Sequence, residues 1–222
     1  RVAEEMAMVD VISKGRVEVG FVRSVPYEAA AANILPYQGS ERLWESHDLI
    51  LKAWTTRDGP FNFEGKWHHH RQVNIWPRPY QQPHPPVWIT TGSAGSTLPV
   101  AQHKHVAAIF LAGYSKVRPI FDAYRENYLK SHGKHAPLDR LAYCGLIFVG
   151  DDEKTAEEGA KQIMWYMQAN KVPEHWKNPP GYHPPAVSAN VLRGAHVSGS
   201  GAAYSTDLKE HMRRGNVFAG TP

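Results

Sequence analysis

Two short groups of residues in this chain have the types and spacing to hold an anion. One is Gly92-Ser93-Ala94-Gly95-Ser96-Thr97, which follows the β-branched run at 87–91. Small residues and hydroxyls placed after a strand can turn N–H and O–H donors toward a phosphate, beside a helix N-terminus if one starts there. The same residues also make an ordinary Ser-Gly turn. The other is Arg23, directly after the apolar alternation of residues 16–22. A guanidinium forms charge-assisted, often bidentate bonds to phosphate, yet taken alone an arginine there reads as a solvent-facing residue. Thr90 and Thr91 either line a ligand or fill the core.

Other constellations carry less chemistry. His68-His69-His70 resembles a metal tract, but adjacent residues do not easily converge on one ion, and no acidic residue stands beside them in a ligand pattern. A solvated strand or turn is expected there, with a substrate contact second, and no metal. Asp139, Asp151, Asp152, Glu157 and Glu158 read as helix caps and solvent faces. The chain has no Gly-x-Gly-x-x-Gly fingerprint after a strand, no Walker loop and no nucleophile elbow. Dinucleotide, P-loop and hydrolase chemistries are therefore poor explanations, and no catalytic residue is assigned.

The elements that must position these residues alternate. Val2, Met6, Val9 and Ser13 share a helical face that ends at Lys14-Gly15. Residues 16–22 alternate like a strand. Ser40 is expected to cap a helix over 41–54, with Leu43, His47, Ile50, Leu51 and Trp54 as its stripe. Residues 55–86 show no long periodicity, and Gly59-Pro60 and five further prolines mark a rim segment anchored by Phe61, Phe63 and Trp67. Strands at 87–91 and 105–111 follow, then a helix bearing Val117, Phe121, Tyr124 and Tyr128. The nearly continuous apolar run at 141–149 is expected to be one strand buried on both sides, with Cys144 as a buried thiol. Asp151 or Asp152 caps a helix bearing Ala156, Ala160, Ile163, Met164 and Met167. The Pro-, Gly-, His- and Ser-rich stretch at 172–203 reads as a functional or mobile rim loop. Helices and strands in this order argue an α/β fold with parallel strands.

Composition agrees with a folded chain: 222 residues, 42% hydrophobic and 21% charged. No run approaches the roughly eighteen apolar residues of a membrane span. A single cysteine precludes an intramolecular disulfide and fits a reducing, cytoplasmic setting. The net charge of +4 is scattered along the chain, so no nucleic-acid partner is expected.

Three stretches in consistent order resemble the bacterial luciferase-like flavin-dependent monooxygenases. They are Arg1-Val2-Ala3-Glu4-Glu5-Met6-Ala7 with residues 10–23, the approach Pro79-Tyr80-Gln81-Gln82-Pro83-His84-Pro85-Pro86-Val87-Trp88-Ile89 with Gly92-Ser93, and Gly220-Thr221-Pro222. The resemblance implies a (β/α)8 TIM barrel, with residues 1–222 its central and C-terminal part, apparently incomplete at both ends. It places Arg23 on the phosphate of FMN, with Gly92, Ser93, Ser96 and Thr97 as the partner loop. It implies oxidation of a small organic substrate with reduced FMN and molecular oxygen, a flavin reductase as partner, and a homo-oligomer. The family's catalytic histidine falls before Arg1, so activity is expected of the intact protein and is left open for residues 1–222. Two alternatives stay open: a deazaflavin-dependent oxidoreductase, and a non-catalytic flavin-binding or assembly protein.

Overall fold

The alanines at positions 3 and 7 let the first helix approach its neighbour closely. In the computed structural model, which describes residues 1–24, 26–169 and 207–222, both are buried. The expected rim loop at 172–203 lies outside the described residues. In chain order the elements are α1 (Val2–Ser13), β1 (Val19–Phe21), α2 (Pro26–Ala31), α3 (Gly39–Thr55), β2 (Phe61–Glu64), β3 (His69–Val73), β4 (Val87–Thr90) and α4 (Thr97–Gln102). They continue with β5 (Val106–Phe110), α5 (Tyr114–His132), β6 (Leu141–Cys144), β7 (Leu146–Val149), α6 (Glu153–Ala169), α7 (Leu208–Arg214) and β8 (Val217–Gly220). The chain divides into two compact units, Arg1–Ser24 with Glu28–Ile89, and Thr90–Pro222 with residues 25–27.

In the first unit, α1 packs on α3, and the fully buried Trp54 donates its indole N–H to the Ala3 carbonyl at 2.9 Å. Lys14 takes the left-handed conformation and ends α1 where the sequence places its stop. Asp10 is fully buried and accepts from the Gln81 backbone N–H at 2.9 Å and the Gln81 side-chain amide at 2.8 Å. That amide also donates to the Val17 carbonyl at 2.7 Å. One glutamine thus fixes the end of α1, the approach to β1 and the segment leading into β4. β1 and β4 pair in parallel, with Val19 opposite Val87 and Phe21 opposite Ile89.

Two expectations for this unit need correction. The helix expected to start after Ser40 begins at Gly39 with Gln38 as its cap residue, because the chain enters it from a 3-10 turn at Pro36–Gln38. The rim segment is also more regular than its prolines suggest, since β2 and β3 form an antiparallel hairpin within it. Phe61, Phe63 and Trp67 are half-buried, and His69 and His70 are exposed on β3. Glu45 on α3 organises the hairpin turn, its carboxylate accepting from the backbone N–H groups of Lys66, Trp67 and His68 at 2.9, 2.7 and 2.7 Å. Partial burial opposes charge on Glu45, but these donors outweigh it and hold its pKa below the ordinary value.

In the second unit, β5 and β6 pair in parallel, and so do β7 and β8. Val100, Ala101, Ile109, Ile120, Tyr124 and Tyr128 are buried, and Tyr124 donates its hydroxyl to the His105 carbonyl at 2.7 Å. Ala160, Met164 and Val217 form a second buried group against Leu146, Leu208 and Ala219. Asp152 caps α6 through the Thr155 N–H at 2.7 Å, as expected for one of the two aspartates.

The run at 141–149 departs from its expectation. It is two short strands separated at Gly145, the first paired to β5 and the second to β8. Burial alternates instead of covering both faces, leaving Cys144, Ile147 and Val149 exposed. Cys144 is therefore an exposed free thiol and not a buried one. An apolar run reports hydrophobicity on both faces of the pleat, but only neighbouring elements decide which faces are covered. Among the described residues, no helix is long and apolar enough to cross a membrane.

Candidate functional site

Arg23 lies two residues past the end of β1 and is exposed. Its stem is directed by Gly39 at the start of α3, where a Cβ would come within 3.1 Å of the arginine Cγ. The guanidinium makes no ion pair or hydrogen bond among the described residues. A cation supported along its stem but free at its head is suited to a bound anion.

In the second unit, residues 92–97 form a 3-10 turn at Ala94–Ser96 that runs into α4. Ser93 and Ser96 hold it by a reciprocal capping box, and Ser96 donates its hydroxyl to the Ser93 carbonyl at 2.7 Å. Thr97 is fully buried, donating its hydroxyl to the Ala94 carbonyl at 2.7 Å and accepting from the Asn127 side-chain amide at 3.0 Å. It holds the turn from below, and its hydroxyl is already engaged on both sides. The rest of the turn is open. Gly92, Ser93, Ala94 and Gly95 are exposed, and a Cβ at Gly92 or Gly95 would meet nothing within 4 Å. The backbone N–H groups of Ala94 and Gly95 have no acceptor among the described residues. α4 has six residues, so donors here come from the turn itself and not from a helix field.

The phosphate of a flavin mononucleotide fits this donor set. The exposed N–H groups of Ala94 and Gly95 and the Ser93 hydroxyl, held only at 3.4 Å from Ser96 Oγ, offer hydrogen bonds, while Ser96 keeps the turn closed, and the two glycines leave room for close approach. Thr91 is buried, and its N–H donates to the Ala108 carbonyl at 2.9 Å. The turn therefore emerges alongside the C-terminal half of β5, at the end of parallel strands where α/β folds place ligands.

A feature missed in the sequence lies where β5 leads into α5. A cleft of about 430 Å³ opens among Ala112, Gly113, Ser115, Lys116, Arg214 and Asn216. Its back wall is tied by Tyr143, whose hydroxyl donates to the Gly215 carbonyl at 2.6 Å and accepts from the Gly113 N–H at 3.3 Å. Burial raises the Tyr143 pKa further above neutrality, in keeping with a phenol that donates. Gly113 and Gly215 both have positive φ, and a Cβ on Gly215 would overlap the Tyr114 ring. Glycine-tyrosine-serine-lysine after an apolar run was the available sequence signal. Asn216 had none, since it reaches the cleft from a hundred residues away in sequence.

The chain matches the model of luciferase-like monooxygenases over residues 1–222. It is 32% identical over 158 residues to uncharacterized protein y4wF of Sinorhizobium fredii, covering 70% of this chain and 45% of that protein. It is 30% identical over 99 residues to the oxygenase component of the flavin-dependent trigonelline monooxygenase of Acinetobacter baylyi, covering 43% of this chain and 27% of that protein. The matches thus span less than half of either curated relative. Among solved structures, the oxygenating constituent of 3,6-diketocamphane monooxygenase from Pseudomonas putida, in complex with FMN, superposes with a TM-score of 0.69 at 17% identity. That match covers all of this chain and 62% of the other. An F420-dependent secondary alcohol dehydrogenase, in complex with an F420-acetone adduct, gives 0.65 at 14% identity, covering 99% and 68%.

Proposed function

The chain belongs to the luciferase-like monooxygenase family, and from that premise we propose that the protein is a cytoplasmic, homo-oligomeric oxygenase that uses reduced FMN and molecular oxygen on a small organic substrate. The observation that supports a phosphate-bearing flavin is the open turn at 92–97, whose Ala94 and Gly95 N–H groups have no acceptor among the described residues. Arg23, with no anionic partner among the described residues, is the cation that the family resemblance assigns to a flavin phosphate. A separate flavin reductase supplies the reduced cofactor, as the relative named an oxygenase component suggests.

Reduced FMN supplies the electron pair with which oxygen is activated. The chain's own residues bind and orient. The Ser93 hydroxyl and the turn N–H groups donate to the phosphate, Ser96, Thr97 and Asn127 keep the turn from collapsing, and Arg23 neutralises charge. Binding energy taken up at the phosphate is remote from the reacting ring and serves to position it.

Titration with FMN and with riboflavin checks this reading. The native protein is expected to prefer FMN, and Arg23→Ala or Ser93→Ala should each erode the preference by about tenfold, the worth of a charge-assisted hydrogen bond. Equal affinity for the two ligands overturns the phosphate assignment. A second reading, deazaflavin-dependent hydride transfer, is favoured by the likeness to the F420-dependent dehydrogenase. It predicts tight binding of F420 in the same assay and weak binding of FMN.

A further inference from the structure

The cleft at the start of α5 is lined by none of the residues assigned to the flavin phosphate above. α5 is a 19-residue helix whose cap residue is Gly113, so no side chain caps its N-terminus. The N–H groups of Tyr114 and Ser115 in its first turn have no acceptor among the described residues, whereas those of Lys116 and Val117 turn back to the Gly113 carbonyl. Lys116 makes no ion pair among the described residues. Arg213 and Arg214 both lie against Glu210, which offsets part of their charge. Positive potential therefore remains on the Lys116 side, reinforced by the helix field.

An independent feature narrows the ligand. Asn216 lines the cleft, is fully buried, and donates its amide to the Leu111 carbonyl at 2.6 Å. That bond fixes which end of the amide is which, and leaves Oδ1 as a buried acceptor without a partner among the described residues. A buried acceptor left unpaired is costly, so the ligand that completes it must bring a donor. A cation would meet Lys116. A fully deprotonated anion would place lone pairs against lone pairs.

We propose that this cleft is a phosphate site, in which a singly protonated phosphate or phosphate monoester donates its P–OH to Asn216 Oδ1 while its other oxygens accept from Lys116 and the first turn of α5. The cleft shares no lining residue with the turn at 92–97.

Calorimetric titration of the native protein with inorganic phosphate, and in parallel with sulfate, tests it. Sulfate has the same size but no proton to give at neutral pH, so it is expected to bind about tenfold more weakly or worse. Lys116→Glu, on the surface, should abolish phosphate binding. Asn216→Asp keeps the shape and turns the acceptor into a repelling carboxylate, with the same result, and its melting temperature is recorded to show that it folds. Phosphate binding should persist in protein saturated with FMN. Glycerol phosphate is the arm that separates sources. Affinity at least equal to that of inorganic phosphate points to an organic monoester, and binding of inorganic phosphate alone points to the free ion. Sulfate binding as tightly as phosphate, or Lys116→Glu leaving phosphate affinity unchanged, overturns the proposal, as does displacement of phosphate by FMN. Failure of FMN to bind counts against the flavin reading alone, because the Lys116 comparison is made without flavin.

Discussion

Thr97 holds the turn at 92–97 from a fully buried position. Its buried hydroxyl spends its donor on Ala94 and an acceptor position on Asn127, so the turn above is held from inside the second unit. Thr97→Val preserves the shape but leaves the Asn127 amide short of an acceptor, at a cost of about 1–2 kcal/mol. The expected outcome is a lower melting temperature together with weaker FMN binding, and Thr97→Ser should restore both. A valine variant with reduced stability but unchanged FMN affinity would separate the turn from the cofactor. In the sequence, Thr97 was indistinguishable from Ser93 and Ser96, because hydroxyl type says nothing about burial. Arg23 was legible only through its family context, since nothing local distinguishes a ligand arginine from a surface one. The structure adds that its guanidinium is uncommitted among the described residues.

The elements followed the period of their apolar residues wherever that period was long. α3, α5 and α6 appear where 3.6-residue stripes place them, with boundaries displaced by a few residues, whereas α1 forms where expected but buries Ala3, Ala7 and Asp10 and leaves Val2 and Val9 of its expected stripe exposed. The β2–β3 hairpin was hidden because its pairing is held partly by a residue from another element. Glu45 on α3 binds three consecutive N–H groups of the turn, and a Cβ on Gly65 would collide with its carboxylate. No local pattern in 61–73 records that contact. The folded state holds the Glu45 pKa below its unfolded value, so its stabilisation is present above the unfolded pKa and is lost as pH falls through the folded one. Thermal melts of Glu45→Gln against the parent should therefore differ most at neutral pH and converge in acid. A difference that does not change with pH would show that the carboxylate's charge is irrelevant to the turn. The split of 141–149 at Gly145 has a similar origin, since β5 and β8 each pair with only half of the run.

At the scale of the molecule, the luciferase-like α/β fold was readable from three short stretches because their order, not any one of them, is distinctive. The family match extends over residues 1–222, while the 3,6-diketocamphane monooxygenase constituent is covered over 62% of its length. Order could not reveal the cleft at α5, which joins residues around 113 with others around 215 through Tyr143. It also leaves the choice between flavin and deazaflavin to the chemistry of the cofactor, because both occur on related folds. Anaerobic titration of the native protein with reduced FMN and, separately, with reduced F420, followed by admission of oxygen, tests that choice most directly. The account predicts saturable binding of reduced FMN, and oxygen uptake that runs ahead of hydrogen peroxide release. Saturable binding of F420 with no affinity for FMN, or peroxide released in step with oxygen uptake as from free flavin, would contradict it.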